Sequence, residues 1–173
     1  MKRLLFIICI MIFQSQLFAQ FSNAEVGIIG LTCSQCSRSV EMAMKKLPFV
    51  KTIDMDLEST TVLVQFSNKH PIDFKKLAQS VRDAGFDVER ILATYHYHPK
   101  SAMQPIELCI KENDQLYYPI NTGTIKNNTI KILLLDKKMV DKTILKNYKI
   151  QIETKGIPCD DKAAFAIPYY IVE

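Results

Sequence analysis

Two cysteines three positions apart, Cys33 and Cys36, offer the clearest chemistry in this sequence. They end the stretch GLTCSQC (residues 30–36), which follows an apolar run typical of a strand and precedes a segment with helical spacing. A cysteine at a helix N-terminus is favoured as thiolate, because free backbone N–H groups and the helix dipole stabilise negative charge there. Two such sulfurs can hold a soft metal ion, or they can form and break a disulfide.

The first 19 residues have the pattern of a secretory signal peptide. Lys2 and Arg3 precede ten apolar residues, 4–13, and Ala19 offers a small residue before a cut at Gln20. Ten apolar residues are too few to span a bilayer, so a cleaved signal is favoured over an uncleaved anchor. We therefore expect an exported protein, periplasmic or extracellular, in a compartment where disulfides persist.

The composition is that of an ordinary globular protein. The 173 residues are 48% hydrophobic and 23% charged, with a net charge of +4 that falls by two when Lys2 and Arg3 are removed. So small a charge leaves no electrostatic footprint for nucleic acid. No nucleotide loop, Ser-His-Asp set or carboxylate pair at a recognisable spacing occurs, so we expect no enzymatic activity.

Residues 20–93 show the order strand, helix, strand, strand, helix, strand. The predicted elements are a strand at 26–29, a helix at 37–47, strands at 50–57 and 60–66, a helix from 71 to 84 and a strand at 86–92. This βαββαβ order predicts a ferredoxin-like α+β domain, an antiparallel sheet with two helices on one face.

Two segments resemble the signatures of the heavy-metal-associated domain family. Its members include copper metallochaperones, modules of copper-pumping ATPases and periplasmic mercury-binding proteins. GLTCSQC is similar to the family's G-M-T-C-x-x-C, and DAGF (residues 83–86) is similar to its acidic-Ala-Gly-aromatic turn beside the metal loop. The resemblance covers about residues 24–92. Leu31 replaces a Met that is normally a core residue, a volume-conserving change.

The resemblance implies that Cys33 and Cys36 bind a metal ion. Soft thiolates select Cu(I), Hg(II) or Zn(II), and zinc normally takes four ligands. Thr32 also stands where zinc-handling relatives often carry Asp, so Cu(I) is the first candidate and Hg(II) or Zn(II) the alternatives. The expected partner is a metal-transporting membrane protein or another metal acceptor that exchanges thiolate ligands. Phe86 is expected to cover the loop, to pack in the core, or both.

Two other functions stay open for the same residues. The pair could serve a thiol–disulfide redox protein or sensor, although thioredoxin-like motifs carry aromatic, Pro or Gly residues beside the pair and this chain has no Trp. The domain could also be an interaction module with a vestigial metal site.

The remaining residues carry no family signature. Residues 94–105 are predicted to be a linker or the end of a strand. His96 and His98 there are either solvated or hydrogen-bonded, or they form a second metal site; we favour the former. Residues 106–173 are predicted to be a small β-rich domain in the order of an OB-like barrel, with strands at 106–110, 115–120, 129–135, 148–154 and 163–172 and a helix at 139–147. Cys109 and Cys159 are predicted to form a disulfide, which would stabilise the domain by ~2–4 kcal/mol, with a free thiol in a metal relay as the alternative.

Overall fold

The computed structural model describes residues 21–96, 110–112, 115–119, 129–147 and 169–172. Its strands and helices are β1 (Phe21–Ile29), α1 (Ser34–Met44), β2 (Val50–Asp56), β3 (Thr61–Phe66), α2 (Phe74–Asp83), β4 (Asp87–His96), β5 (Ile110–Glu112), β6 (Gln115–Pro119), β7 (Thr129–Leu135) and β8 (Tyr169–Val172). A short helix at 142–147 follows β7. The predicted signal peptide, Cys109 and Cys159 lie outside the described residues.

The first four strands and two helices form the predicted ferredoxin-like arrangement. The strands lie in the order β2-β3-β1-β4, and Val26 of β1 pairs antiparallel with Val62 of β3 and with Ile91 of β4. Side chains of alternate residues on β1 are buried against the two helices, which contribute Val40 and Leu77 among others to the same core. The α+β prediction for this part of the chain is confirmed.

Strand β1 begins at Phe21, five residues before the predicted start, and α1 begins at Ser34 rather than residue 37. The first residues of β1 lack a regular alternation of buried and exposed side chains, because the register shifts between Phe21 and Asn23. The sequence pattern therefore did not predict them as strand. The early start of α1 follows from Cys33, whose sulfur caps the helix.

Of the two alternatives for the run from residue 94, a linker or a strand end, residues 94–96 are the strand end, so the linker does not begin at residue 94. Strand β4 continues to His96, because it pairs antiparallel with β7: Leu92 lies opposite Leu133, and His96 lies opposite Thr129. Tyr95 is buried in the core of the first domain, so this end of the strand is apolar on one face. Residues 97–105 of the predicted linker lie outside the described ranges.

Beyond β4 the described strands continue one sheet in the order β7-β8-β6-β5. Strand β8 is antiparallel to β7 and parallel to β6. The OB-like barrel is therefore not confirmed, and the predicted domain boundary after residue 93 falls inside β4. Of the predicted elements, the strand at 129–135 is confirmed, and the helix is shortened to 142–147. The described parts of the strands predicted at 106–110, 115–120 and 163–172 are strand at residues 110, 115–119 and 169–172, and the strand predicted at 148–154 lies outside the described residues.

Strand β7 is buried on both faces along its apolar run, residues 132–135, whereas Lys131 is exposed. On the helix side, Ile130, Ile132 and Leu134 join the core of the first domain. On the other side, a second cluster consists of Leu92, Leu133 and Leu135, packed by Ile144 and Leu145. Within the described ranges, no helix has the length and apolar character needed to cross a membrane.

Candidate metal centre

The loop between β1 and α1 is shaped by Gly30 and Leu31. Gly30 has φ +81°, a left-handed conformation that glycine adopts without steric cost, and its carbonyl accepts a 3.0 Å hydrogen bond from the N–H of Thr32. Leu31 is fully buried in the core. The prediction that Leu31 is a core residue is confirmed, and its burial anchors the loop just ahead of the cysteines.

Cys33 is the N-cap residue of α1. Its backbone is extended (φ −132°, ψ 150°), and its Sγ accepts a 3.0 Å hydrogen bond from the N–H of Cys36. The Cys33 carbonyl accepts from the N–H of Ser37 at 3.0 Å and starts the helical hydrogen bonding. The buried Ser37 hydroxyl donates to the Ser34 carbonyl at 3.0 Å, which completes the first turn. The local fold thus directs the backbone N–H of Cys36 towards the Cys33 sulfur, an arrangement that favours a thiolate there.

The sulfurs of Cys33 and Cys36 are bonded to each other, with their Cα atoms 5.1 Å apart. Cys33 is exposed, whereas Cys36 is half-buried and packs against the core. Reduction of the bond by two electrons and two protons would yield two adjacent thiols. In the part of the chain that the structure describes, no cluster of three or more His, Cys, Asp or Glu side chains suits a metal ion. Among the described residues, the candidate donors at this loop are the two cysteine sulfurs.

The turn at Gly85 and Phe86 lies beside this loop. Ile29, the last residue of β1, pairs with Asp87, the first residue of β4, so the loop after β1 and the turn before β4 are at the same end of the sheet. Gly85 has φ +90° and donates a 2.8 Å hydrogen bond to the Arg82 carbonyl. Phe86 is half-buried and packs against the core that contains Leu31. Both expected roles of Phe86 are compatible with this position.

The β2–β3 turn also lies at this end, a feature that the sequence did not predict. The N–H of Ile28 donates to the Thr60 carbonyl at 3.0 Å. The Asp56 carboxylate accepts hydrogen bonds from the Ser59 hydroxyl at 2.7 Å and from the Glu58 N–H at 2.9 Å. These hydrogen bonds lower the pKa of the Asp56 carboxyl, and the bond from the Ser59 hydroxyl has the largest effect. The sequence did contain a signal for this turn: Asp56 stands two residues before Glu58, a spacing at which an aspartate side chain can accept backbone hydrogen bonds in a turn.

The exposed surface at this end is partly apolar. Ile29, next to the loop, is 48% exposed, and Leu57 of the β2–β3 turn is 40% exposed. Arg38 is exposed on α1.

Further along α1, the Lys45 ammonium donates a hydrogen bond to Glu41 and so lowers the pKa of the Glu41 carboxyl. The positive charge of Arg38 lowers it by a smaller amount.

The second predicted metal site is only half inside the described residues. His96 is half-buried on β4, and its Nδ1 lies 3.3 Å from the hydroxyl of Thr129 on β7. This contact fits the favoured expectation of a hydrogen-bonded histidine. His98 lies outside the described residues.

The βαββαβ frame and the dithiol loop define a ferredoxin-like domain with a candidate soft-metal site. The model of the heavy-metal-associated domain matches residues 25–87. A copper chaperone CopZ of Staphylococcus saprophyticus is 30% identical over 68 residues, which are 39% of this chain and 98% of the relative. The chain belongs to the heavy-metal-associated domain family through this part, as the sequence motifs predicted.

Longer relatives match this chain over about 70 residues. The probable copper-transporting ATPase HMA5 of Arabidopsis thaliana is 31% identical over 70 residues, which are 40% of this chain and 7% of the ATPase. The chain thus spans less than a tenth of the length of this ATPase. Among solved structures, a CopZ metallochaperone is 27% identical and matches 39% of this chain and 98% of its own, with a TM-score of 0.36. Oxidized MerP from Ralstonia metallidurans is 26% identical, matching 40% of this chain and 94% of its own, with a TM-score of 0.37.

Proposed function

We propose that this protein binds Cu(I) through the thiolates of Cys33 and Cys36 and transfers it to a partner by ligand exchange. The observation that carries the proposal is the juxtaposition of the two sulfurs at the exposed N-terminus of α1, in a family that includes copper chaperones and copper-transporting ATPases. The role is that of a carrier, without a chemical reaction on an organic substrate.

The number and type of the candidate donors support Cu(I) among the candidate metals. Two thiolates suit a soft ion that accepts low coordination, which favours Cu(I), with Hg(II) second. Zn(II) normally takes four ligands, and the described residues offer no cluster of acidic, histidine and cysteine side chains around the pair. Equilibrium competition between Cu(I) and Zn(II) on the reduced protein should therefore favour Cu(I).

Loading requires the reduced pair. The disulfide must take up two electrons and two protons to become two thiols, and binding of Cu(I) then releases the thiol protons because thiolates are the ligands. An external thiol reductant can supply the electrons and protons, being itself oxidised to a disulfide. Because we propose that the protein is exported, the pair must be reduced or loaded before it meets an oxidising compartment.

The difference in exposure between the cysteines suggests a direction for transfer. Cys33 is open to solvent, whereas Cys36 packs against the core. A partner thiolate would reach the ion from the Cys33 side and form a third bond, after which the bond to Cys33 breaks first. The acceptor we propose is a metal-transporting membrane protein or another protein with accessible thiolates, seated on the exposed apolar residues Ile29 and Leu57.

Titration of the reduced protein with Cu(I), in anaerobic competition with a chelator of known affinity, tests the proposal. We expect one ion per chain. Cys33→Ser and Cys36→Ser should each weaken binding by at least about 100-fold, since the loss of outer-shell partners alone costs about 10–100-fold at metal sites. Ser39→Ala, an exposed change on the same helix, is the matched control. Variants that bind as tightly as the parent would refute the proposal.

The export step has its own test. The mature protein recovered from the producing cells should begin at Gln20. A mature chain that retains Met1 and stays in the cytoplasm contradicts the export step and leaves the metal proposal to the titration.

Thiol–disulfide exchange is the second candidate, favoured by the bond between Cys33 and Cys36. It predicts catalytic turnover in a disulfide reductase assay that both serine variants abolish. A protein that neither binds Cu(I) nor turns over in this assay is instead the interaction module with a vestigial site.

A further inference from the structure

The segment after β7 lies at the metal-loop end of the sheet. Leu133 of β7 is opposite Leu92 of β4, and the two strands run antiparallel. The end of β7 is therefore beside the beginning of β4, immediately after the turn that contains Gly85 and Phe86. Residues 136–141 follow β7 at this position, and we call them the bracket segment.

Two hydrogen bonds join the bracket segment to the residues on either side of this turn. Arg82, at the end of α2, donates from Nη1 to the Lys138 carbonyl at 2.8 Å. On the other side of the turn, the N–H of Asp141 donates to the Glu89 carbonyl at 2.7 Å. The turn is therefore held from both sides by backbone groups that are distant in sequence.

Side-chain packing also connects the bracket segment to α2 and to the metal loop. Met139 of the bracket segment is fully buried and belongs to the core cluster that contains Val81 of α2 and Leu31 of the metal loop. Phe86 packs against this cluster from the surface. Protein cores are close-packed. A displacement of the bracket segment would therefore shift the residues that anchor both the turn and the loop.

We propose that the bracket segment positions the Gly85-Phe86 turn beside the metal loop, with Arg82 as the positioning residue, and that it thereby raises the affinity of Cys33 and Cys36 for metal. The affinity part rests on the proposed function. The family model ends at residue 87, so this support comes from a part of the chain outside the matched domain.

The physical reason is conformational entropy. A loop whose anchors are already ordered loses less freedom when an ion ties its two sulfurs together. Loss of the Arg82 hydrogen bond should let the turn open more often. The opened turn should expose the backbone N–H groups of Gly85 and Phe86, which donate to the Arg82 and Val81 carbonyls.

The experiment compares Arg82→Met with Arg82→Lys in the full chain. Methionine keeps an unbranched apolar stem and removes the donors, whereas lysine keeps a positive charge at the C-terminal end of α2 without the planar fork of arginine. Lys76→Met is the matched control, because Lys76 is exposed on the same helix. Amide hydrogen exchange at Gly85 and Phe86 and Cu(I) affinity are measured on the reduced proteins.

We expect Arg82→Met to speed exchange at both amides by about 10-fold and to weaken Cu(I) binding by about 3- to 10-fold, within the range by which mutations modulate coupled sites. Arg82→Lys should fall between this variant and the parent, and Lys76→Met should match the parent. Unchanged exchange in Arg82→Met overturns the positioning role. Faster exchange with unchanged affinity overturns the link to the metal site.

The failure of the proposed function is distinguishable from these outcomes. A parent protein that binds no Cu(I) overturns the proposed function and the affinity part together. The exchange rates, which need no metal, then still decide whether the bracket segment holds the turn.

Discussion

Helices α1 and α2 begin in the same way but with different cap residues. Each is preceded by a residue with an extended backbone whose side chain accepts a 3.0 Å hydrogen bond from the N–H three positions later. In α1 the pair is Cys33 and Cys36, and in α2 it is Asp73 and Lys76. Aspartate is among the best N-cap residues, because its carboxylate accepts strongly and complements the helix dipole. Sulfur is a weak acceptor.

The difference between the two caps indicates that the start of α1 is less stable than it could be, at the position where the candidate metal ligand lies. At α2 the cap serves the fold alone, and the far end of that helix is held by the Lys138 carbonyl. At α1 the same position carries the exposed sulfur that we propose binds metal. A weaker cap at α1 is the structural consequence of placing a thiol where a carboxylate or hydroxyl would be more stable.

The largest effect is expected from giving α1 the cap residue of α2. Cys33→Asp should lower Cu(I) affinity by at least about 100-fold, more than typical outer-shell losses, because a ligand is removed. The same change should stabilise the reduced protein by about 0.5–2 kcal/mol, the range measured for good caps. Urea unfolding in excess reductant, beside the metal competition assay, measures both. A reduced variant less stable than the reduced parent would show that the caps differ in some other way.

Substitutions of two methionines compare a buried residue after β7 with an exposed residue on α1. Met139→Ala should destabilise the protein by about 2–5 kcal/mol, because it leaves a cavity at a fully buried position of the core to which α2 contributes. Met42→Ala is the matched control: Met42 is 56% exposed on α1, and its loss should stay within about 0.5 kcal/mol. Equal effects in chemical denaturation would contradict the assignment of residue 139 to the core.

Removal of the α2 cap should affect the fold alone. Asp73→Ala should cost about 1 kcal/mol of unfolding free energy, because the N–H of Lys76 loses its partner. Asp73→Asn keeps an acceptor at this position and should lose little. Both variants should bind Cu(I) as the parent does, so a clear loss of affinity in Asp73→Ala would blur the distinction between the two helices.

The smallest effect concerns the Asp56 turn beside the loop. Its hydrogen bonds to Ser59 and Glu58 lower the pKa of the Asp56 carboxyl in the folded state. The unfolded state therefore binds more protons, and this stabilisation is present above the ordinary aspartate pKa and is lost as the pH falls through the lower folded value, below about pH 4. Asp56→Asn should flatten the decline in thermal stability over that range. Asp54→Asn, also exposed on β2, serves as control, and an equal flattening there would assign the effect to general charge.

Prediction from the sequence succeeded where the signal was local. The helical spacing from Val40 onwards, the stop at Gly85 and the alternation in β3 predicted the frame of the first domain. The cysteine pair and the DAGF turn predicted the family, since both are short motifs with a fixed place in the fold. The cap role of Cys33 was missed, because a cysteine N-cap is rare among the residues that usually signal a helix start.

Prediction was incomplete where a distant partner decides the structure. The sequence does not distinguish a linker from a strand end at residues 94–96, because nothing near them indicates that β7 pairs there. The partner strand lies more than 30 residues away, and strand pairing at that separation leaves no local pattern in either segment. The bracket segment was equally hidden, since the Arg82 to Lys138 contact joins residues 56 positions apart.

By itself, the sequence determined the element order of residues 21–93, the dithiol motif and the family, because periodicity, turn residues and short motifs are properties of neighbouring residues. Only the tertiary structure decided that the sulfur of Cys33 caps its own helix, that Cys36 packs on the core while Cys33 stays exposed, and that residues after β7 contact both sides of the turn beside the loop. The cap is a local hydrogen bond at a residue type that seldom signals a helix start. The difference in burial and the contacts of the residues after β7 exist only once the sheet has assembled.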